Sequence, residues 1–89
     1  MRIVLTIVGQ DKVGIIAKIS NLLAKHKINI LNINQNIVEG FFNMVLIADM
    51  SKSEISLVEL KDFATAMGKE LGVEIRVQHE DIFAAMHSI

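Results

Sequence analysis

The chain has 89 residues, of which 52% are hydrophobic, and it contains no cysteine. A chain of this size and apolar content forms one domain with its own core and needs no disulfide to fold. Nine basic and ten acidic residues give a net charge of −1, so the overall charge offers no attraction for nucleic acid.

The hydrophobic segments are too short for membrane insertion. The N-terminus lacks the long apolar core of a signal peptide. The longest interior apolar run is Met44–Ala48, far short of the roughly 20 residues that span a bilayer. We therefore expect a protein without a membrane partner, and the absence of cysteine suits a reducing, cytoplasmic location.

The hydrophobic pattern predicts the element order βαββαβ. Residues 2–8 alternate as a strand, and 12–26 carry apolar residues at helical spacing. Residues 28–38 and 41–50 alternate again on either side of a two-residue turn, Glu39-Gly40.

The second half of the chain continues this order. Ser51 and Glu54 fit a capping box at the start of a second helix, which Gly72 ends as a left-handed cap. Residues 73–78 alternate as a fourth strand, and the following HEDIFAAMHSI predicts a short C-terminal helix. We expect a single domain over 1–89 with 78–89 as its tail.

This element order predicts an α+β, ferredoxin-like sandwich. Right-handed crossovers give an antiparallel sheet in the strand order 4-1-3-2 with two helices on one face. The Glu39-Gly40 turn sets the pairs Ile37/Phe42, Gln35/Met44, Ile33/Leu46 and Leu31/Ala48 on the face that should meet the helices. Gln35 would then need a hydrogen-bond partner in the core, and Asn32, Asn34 and Asn36 would lie on the opposite face.

The loop after the first strand has two interpretations. Asp11 suits the N-cap of the first helix, and Gly14 in the first turn leaves the backbone N–H groups open to an anion. A helical glycine costs roughly 1 kcal/mol relative to alanine, which indicates close approach by another backbone or by a ligand. The spacing alone favours a cap-and-turn role over a binding loop, and it does not match a P-loop, because Ile15-Ile16 stand where Lys-Ser/Thr is required.

Two stretches carry a family resemblance: Gly9-Gln10-Asp11-Lys12-Val13-Gly14-Ile15, and Lys27-Ile28-Asn29-Ile30. They resemble the ACT domain, the small-molecule sensor attached to many enzymes of amino-acid metabolism. The resemblance covers essentially the whole chain, and the closing QHEDIFAAMHSI resembles the tail of a family of small stand-alone ACT proteins.

This resemblance implies that an amino acid binds at a dimer interface. The implied ligand contacts are Asp11, Val13, Gly14, Ile15, Asn29 and Ile30. Two departures from the family pattern stand out. Val13 replaces a common proline, and Gly9 has no side chain where some serine-binding members place a histidine, so serine is not implied as the ligand.

The sequence provides no catalytic constellation. No nucleophile–base pair or carboxylate dyad stands out, and the loop at Gln10–Val13 lacks the arginine of an acylphosphatase-like enzyme. Without cysteine and without ligand spacing among the histidines, we expect no metal site and no cofactor. The residues therefore predict that the protein is not an enzyme, and the ACT resemblance implies a regulatory sensor that acts through a separate effector protein.

Two alternatives share this fold. One is a structural interaction module that binds no ligand. The other is an RNA-recognition module, suggested by EGFFNMVLIA on the third strand. Glu39 occupies the place of a basic residue in that motif, its later aromatic is missing, and the strand pairing turns Phe42 inward. We expect no nucleic-acid partner.

The second strand predicts the assembly. In the order 4-1-3-2 it lies at an edge of the sheet, and after its first residue it lacks the lysine, proline or bulge that commonly protects an edge. Pairing with its own copy would give a homodimer with one continuous sheet. Asn29 of one subunit would then lie near the Asp11–Ile15 loop of the other.

Overall fold

The structure, a computed structural model, describes residues 1–10 and 14–87. Its elements are β1 (Arg2–Gln10), α1 (Ile15–Lys25), β2 (Asn29–Val38), β3 (Phe41–Asp49), α2 (Leu57–Leu71), β4 (Glu74–His79) and α3 (Glu80–His87). The strands form one antiparallel sheet in the order β2-β3-β1-β4. The predicted α+β, ferredoxin-like fold is confirmed.

The core lies between one face of the sheet and the helices α1 and α2. Alternate residues of β1 and β3 have an exposed fraction of at most 1%, and they pack with Ile19 of α1 and Leu60 of α2. Burial of these side chains removes their apolar surface from water, which is the main favourable term in folding. The fully buried strand residues are Ile3, Leu5, Ile7, Met44, Leu46 and Ala48.

The opposite face of the sheet is covered only in part. Val4 points to this face by strand alternation, yet its side chain is only 2% exposed. The helix α3 packs against β1 and β4 and is tied to β1 by an ion pair of 3.0 Å between Arg2 and Glu80. We attribute the burial of Val4 to this helix.

The predicted pairing of β2 with β3 is confirmed from Asn32 onward. Ile33 lies opposite Leu46, Gln35 opposite Met44, and Ile37 opposite Phe42. Phe42 is buried, as the pairing predicts. The predicted pair Leu31/Ala48 is wrong, because Ile30 lies opposite Ala48 and the register shifts between Ile30 and Asn32. Leu31 is the extra residue of a β-bulge, so the prediction that this edge strand carries no bulge is wrong. The pairing is regular from Asn32 to Val38.

The prediction that β2 meets the helices is also wrong for most of the strand. Ile33 is 40% exposed and Ile37 is 62% exposed, although both share a face with buried residues of β3. Gln35 is exposed as well. Its side-chain amide can therefore form hydrogen bonds with water and needs no partner in the core. Helix α1 contacts β2, and Ile30 packs against the core, but Ile33 and Ile37 lie outside this cover.

The start of α2 lies later in the chain than predicted. The capping box is formed by Ser56 and Glu59, with N–H···O distances of 3.1 Å in both directions. The predicted box of Ser51 and Glu54 is wrong: the backbone N–H of Ser51 donates to the Asp49 carboxylate at 2.9 Å. Gly72 ends the helix in the left-handed conformation, as predicted.

The two serines provide a test of this assignment. We expect Ser56→Ala to lower the free energy of unfolding by about 1 kcal/mol, because the N3 backbone N–H loses its acceptor. Ser51→Ala, which leaves α2 capped, is expected to have a smaller effect. Urea denaturation of both variants measures the difference, and an equal loss in the two would contradict the Ser56 cap.

Candidate functional site

The predicted site residues near α1 lie at the helix N-terminus. Gly14 is the N-cap, with φ 90° and ψ −2°. The N-cap prediction for Asp11 is therefore wrong, and Asp11 itself lies outside the described residues, as does Val13. Ile15 is 2% exposed and its side chain belongs to the core, so only its backbone can face a ligand.

The positive φ of Gly14 explains why a glycine stands there. L-residues with a side chain rarely adopt this conformation. A Cβ at this position would have no atom of the described residues within 4 Å, so packing against them does not demand the glycine. The N-terminus of α1 carries the positive end of the helix dipole, which favours an anion.

The other predicted site residues lie at the start of β2. Asn29 is exposed, whereas Ile30 is half-buried and packs against the core. Asn29 pairs with Asp49, and Asp49 pairs with Arg2 at the beginning of β1. Asn29 therefore belongs to the sheet end at which β1 starts.

Gly14 and Asn29 lie at opposite ends of the domain. The 11 residues of α1 separate them, which corresponds to a helix length of about 16 Å. A single small molecule cannot contact both residues within one chain. The structure thus divides the predicted ligand contacts into two groups, the Gly14 end and the Asn29 end.

An open cavity of about 590 Å³ lies at the Asn29 end. We call it the Asn29 cavity. It is lined by Lys27, Ile28, Asn29, Asp49, Ser51 and Lys52. Of these residues, the resemblance assigned a ligand contact only to Asn29. The loops after α1 and after β3 bring the others together, and their pattern in the sequence does not reveal this proximity.

The backbone at Lys27 is unusual. Lys27 has φ 58° and follows the C-cap of α1 in a Schellman motif, with Lys27 N–H donating to Ala24 and Ile28 N–H donating to Leu23. Glycine is the usual residue at this position. A side chain in this conformation costs on the order of 1 kcal/mol.

Asp49 holds a negative charge at the cavity wall. Hydrogen bonds from the Ser51 backbone N–H and then from the Ser51 side chain lower the pKa of the Asp49 carboxyl. The N-terminal ammonium, 3.7 Å away, lowers it further. Asp49 is therefore ionised at neutral pH and oriented by its neighbours.

The interior formed by the described residues is apolar. No polar or charged side chain is buried among them, and they include no group of three or more His, Cys, Asp or Glu residues placed to hold a metal ion. Within the same residues, no helix has the length and apolar composition needed to cross a bilayer.

Gly9, where some serine-binding ACT domains carry a histidine, is in close contact with Val73, the residue before β4. A Cβ on Gly9 would lie 2.5 Å from Val73 Cγ1 and 3.0 Å from Val73 Cβ. These distances are too short for ordinary packing, so a side chain at position 9 requires Val73 to move. The glycine therefore has a structural reason in this chain.

Comparison with known proteins identifies the family. A family model of the ACT domain matches residues 1–78. The chain belongs to the ACT domain family. It is 42% identical over 88 residues to the UPF0237 protein of Methanosarcina acetivorans, across 99% of this chain and 96% of that protein.

Solved ACT structures have the same fold. The ACT domain protein from Streptococcus pneumoniae superimposes with a TM-score of 0.82 and 29% identity, covering 100% of this chain and 97% of that one. A formyltetrahydrofolate deformylase from Pseudomonas syringae gives a TM-score of 0.79 and 28% identity over 88% of this chain, but only 27% of the deformylase. In that protein the ACT fold is one part of a larger chain.

The conformation of Gly14 provides a test of the Gly14 end. We expect Gly14→Ala to lower the free energy of unfolding by about 1 kcal/mol, since alanine is strained at positive φ. Gly14→Asn should lower the free energy of unfolding by less, because asparagine adopts positive φ more readily than alanine. Urea denaturation of the two variants measures both effects, and an alanine variant as stable as the original chain would contradict the left-handed N-cap.

Proposed function

We propose that this ACT domain is a regulatory sensor that binds an amino acid at the seam of a homodimer and acts through another protein. The observation that supports the proposal best is the exposure of hydrophobic side chains on β2, at the edge of the sheet. Among the residues whose burial the structure describes, ten large hydrophobic side chains are exposed, and four of them lie on this one strand, namely Leu31, Ile33, Ile37 and Val38. An apolar strand left open at a sheet edge is a template for pairing.

A second copy of the chain is the partner that fits this edge. Strand β2 is an outer strand of the sheet, and between Asn29 and Val38 it carries no charged residue. Two copies related by a two-fold axis can pair through β2 without bringing like charges together. The exposed faces of Ile33 and Ile37 would then be covered by the partner.

Antiparallel pairing of the two β2 strands would also complete the site. It places the start of one β2 next to the end of the other, so the Asn29 end of each subunit faces the Gly14 end of its partner. The two groups of predicted contacts, separated within one chain, meet across the seam. Each dimer then has two equivalent sites.

The chemistry of the combined site suits an amino acid. The backbone N–H groups at the start of α1 can donate hydrogen bonds to a carboxylate, and the Asn29 amide can donate and accept hydrogen bonds. No nucleophile–base pair or carboxylate dyad stands out in the sequence. We therefore assign binding and regulation to the site, and not turnover.

Disrupting the seam tests the dimer. We expect the original chain to sediment as a dimer and Ile37→Lys to sediment as a folded monomer, because a lysine ammonium would have to be buried against the partner. Val58→Lys on α2 is the matched control, since Val58 is 66% exposed and Ile37 is 62% exposed. This control should remain a dimer.

Two sedimentation results would contradict the β2 seam. One is a monomer for the original chain. The other is an Ile37→Lys protein that has the circular dichroism spectrum of the original and still forms the same dimer.

A thermal-shift screen of the twenty amino acids tests ligand binding. A ligand present at 100 times its Kd stabilises the folded state by about 2.7 kcal/mol, which raises the unfolding temperature visibly. We expect at least one amino acid to give such a shift. A flat response to all twenty would favour the alternative of an interaction module that binds no ligand.

A further inference from the structure

We propose that the ligand is an acidic amino acid, aspartate or glutamate, and that the Asn29 cavity holds its side-chain carboxylate through Lys27 and Lys52. This inference rests on the proposed function and adds to it the class of ligand. It comes from the charges of the cavity wall and from the backbone of Lys27.

The cavity wall contains two lysines. Within the described part of the chain, Lys52 forms no ion pair. The Lys27 ammonium lies 3.4 Å from the Glu54 carboxylate, but the Glu54 side chain is 83% exposed. Exposed pairs of this kind contribute little to stability, so a ligand carboxylate can take the place of Glu54.

The only carboxylate of the described cavity wall is already compensated. Asp49 accepts the Ser51 N–H at 2.9 Å and lies 3.7 Å from the N-terminal ammonium. Lys27 and Lys52 therefore leave an excess of positive charge for a bound anion. A ligand with a neutral side chain would leave Lys27 paired with Glu54 alone and Lys52 without an ion pair among the described residues.

The conformation of Lys27 is an independent indication. Lysine occupies a left-handed position, φ 58°, that glycine adopts without strain. Its exposed pair with Glu54 is too weak to offset that strain. Backbone strain of this kind is concentrated at functional sites, and Lys27 lines the cavity.

The cavity is also correctly placed for the second carboxylate of such a ligand. Asn29, which begins the seam strand, is part of its wall. In the proposed dimer the N-terminus of the partner's α1 faces this end and holds the main carboxylate. The side-chain carboxylate of the same ligand then extends into the Asn29 cavity.

The experiment compares acids with their neutral amides. Thermal shift and calorimetry are measured with L-glutamate, L-glutamine, L-aspartate and L-asparagine. We expect one acid to bind more tightly than its amide. Lys52→Met should weaken binding of that acid by about tenfold, which is the effect expected for one hydrogen bond between charged groups. The affinity for the amide should not change.

Lys27→Gly separates binding from folding. It should raise the urea midpoint, because glycine relieves the left-handed strain, and at the same time weaken binding of the acid by about tenfold. If Lys27 had only a structural role, Lys27→Gly would raise the urea midpoint without weakening binding of the acid. Lys61→Met, on the exposed surface of α2, is the matched charge control and should change neither the urea midpoint nor the affinity.

The outcomes distinguish this inference from the proposed function. If a neutral amino acid binds as tightly as either acid, the sensor function stands and the acidic ligand class is wrong. If an acid is preferred and both lysine variants keep that preference, the assignment to the Asn29 cavity is wrong. If no amino acid binds, both proposals fail.

Discussion

The structure depends on burial of one apolar face of the two central strands. Alternate residues of β1 and β3, among them Leu5 and Leu46, have an exposed fraction of at most 1% beneath α1 and α2. This burial fixes which face of each strand points inward, and a slip of one residue would expose the whole set. The open face, the exposed β2 and the positions of the helix ends all follow from it.

The helix ends show how local backbone conformation is set in this domain. Gly14 at the start of α1 and Gly72 at the end of α2 both adopt positive φ, where glycine has no steric cost. Lys27 at the end of α1 has the same handedness but carries a long charged side chain. At Lys27 the proposed ligand contact, and not ease of folding, explains the residue.

The proposed site has its two halves at opposite ends of one chain, and this has a consequence for regulation. In the proposed dimer no subunit can bind the ligand alone, so ligand binding and subunit pairing become thermodynamically linked. A ligand that binds only the dimer stabilises it by mass action. A small molecule could thus control the β2 seam, and a surface that differs between monomer and dimer would be available to an effector protein.

The sequence by itself determined the element order, the strand order and most of the register. These features depend on local signals: the period-two alternation of β1 and β3, the Glu39-Gly40 turn, and Gly72 at the helix end. Such signals act over a few residues and remain readable without knowledge of distant contacts. The family resemblance, carried by the stretches around Gly14 and Asn29, was also contained in the sequence.

Only the tertiary structure decided which strands the helices cover and which residues lie close together at each end of the domain. Ile33 and Ile37 alternate like core residues, yet no helix lies above them, because coverage depends on where α1 packs and not on the pattern of β2. Both Ser51 and Ser56 precede a glutamate by three residues. The cap is Ser56, because α2 begins at Leu57. The Asn29 cavity joins Lys27 and Lys52 across 25 residues of sequence, and proximity of this kind is a property of the folded chain alone.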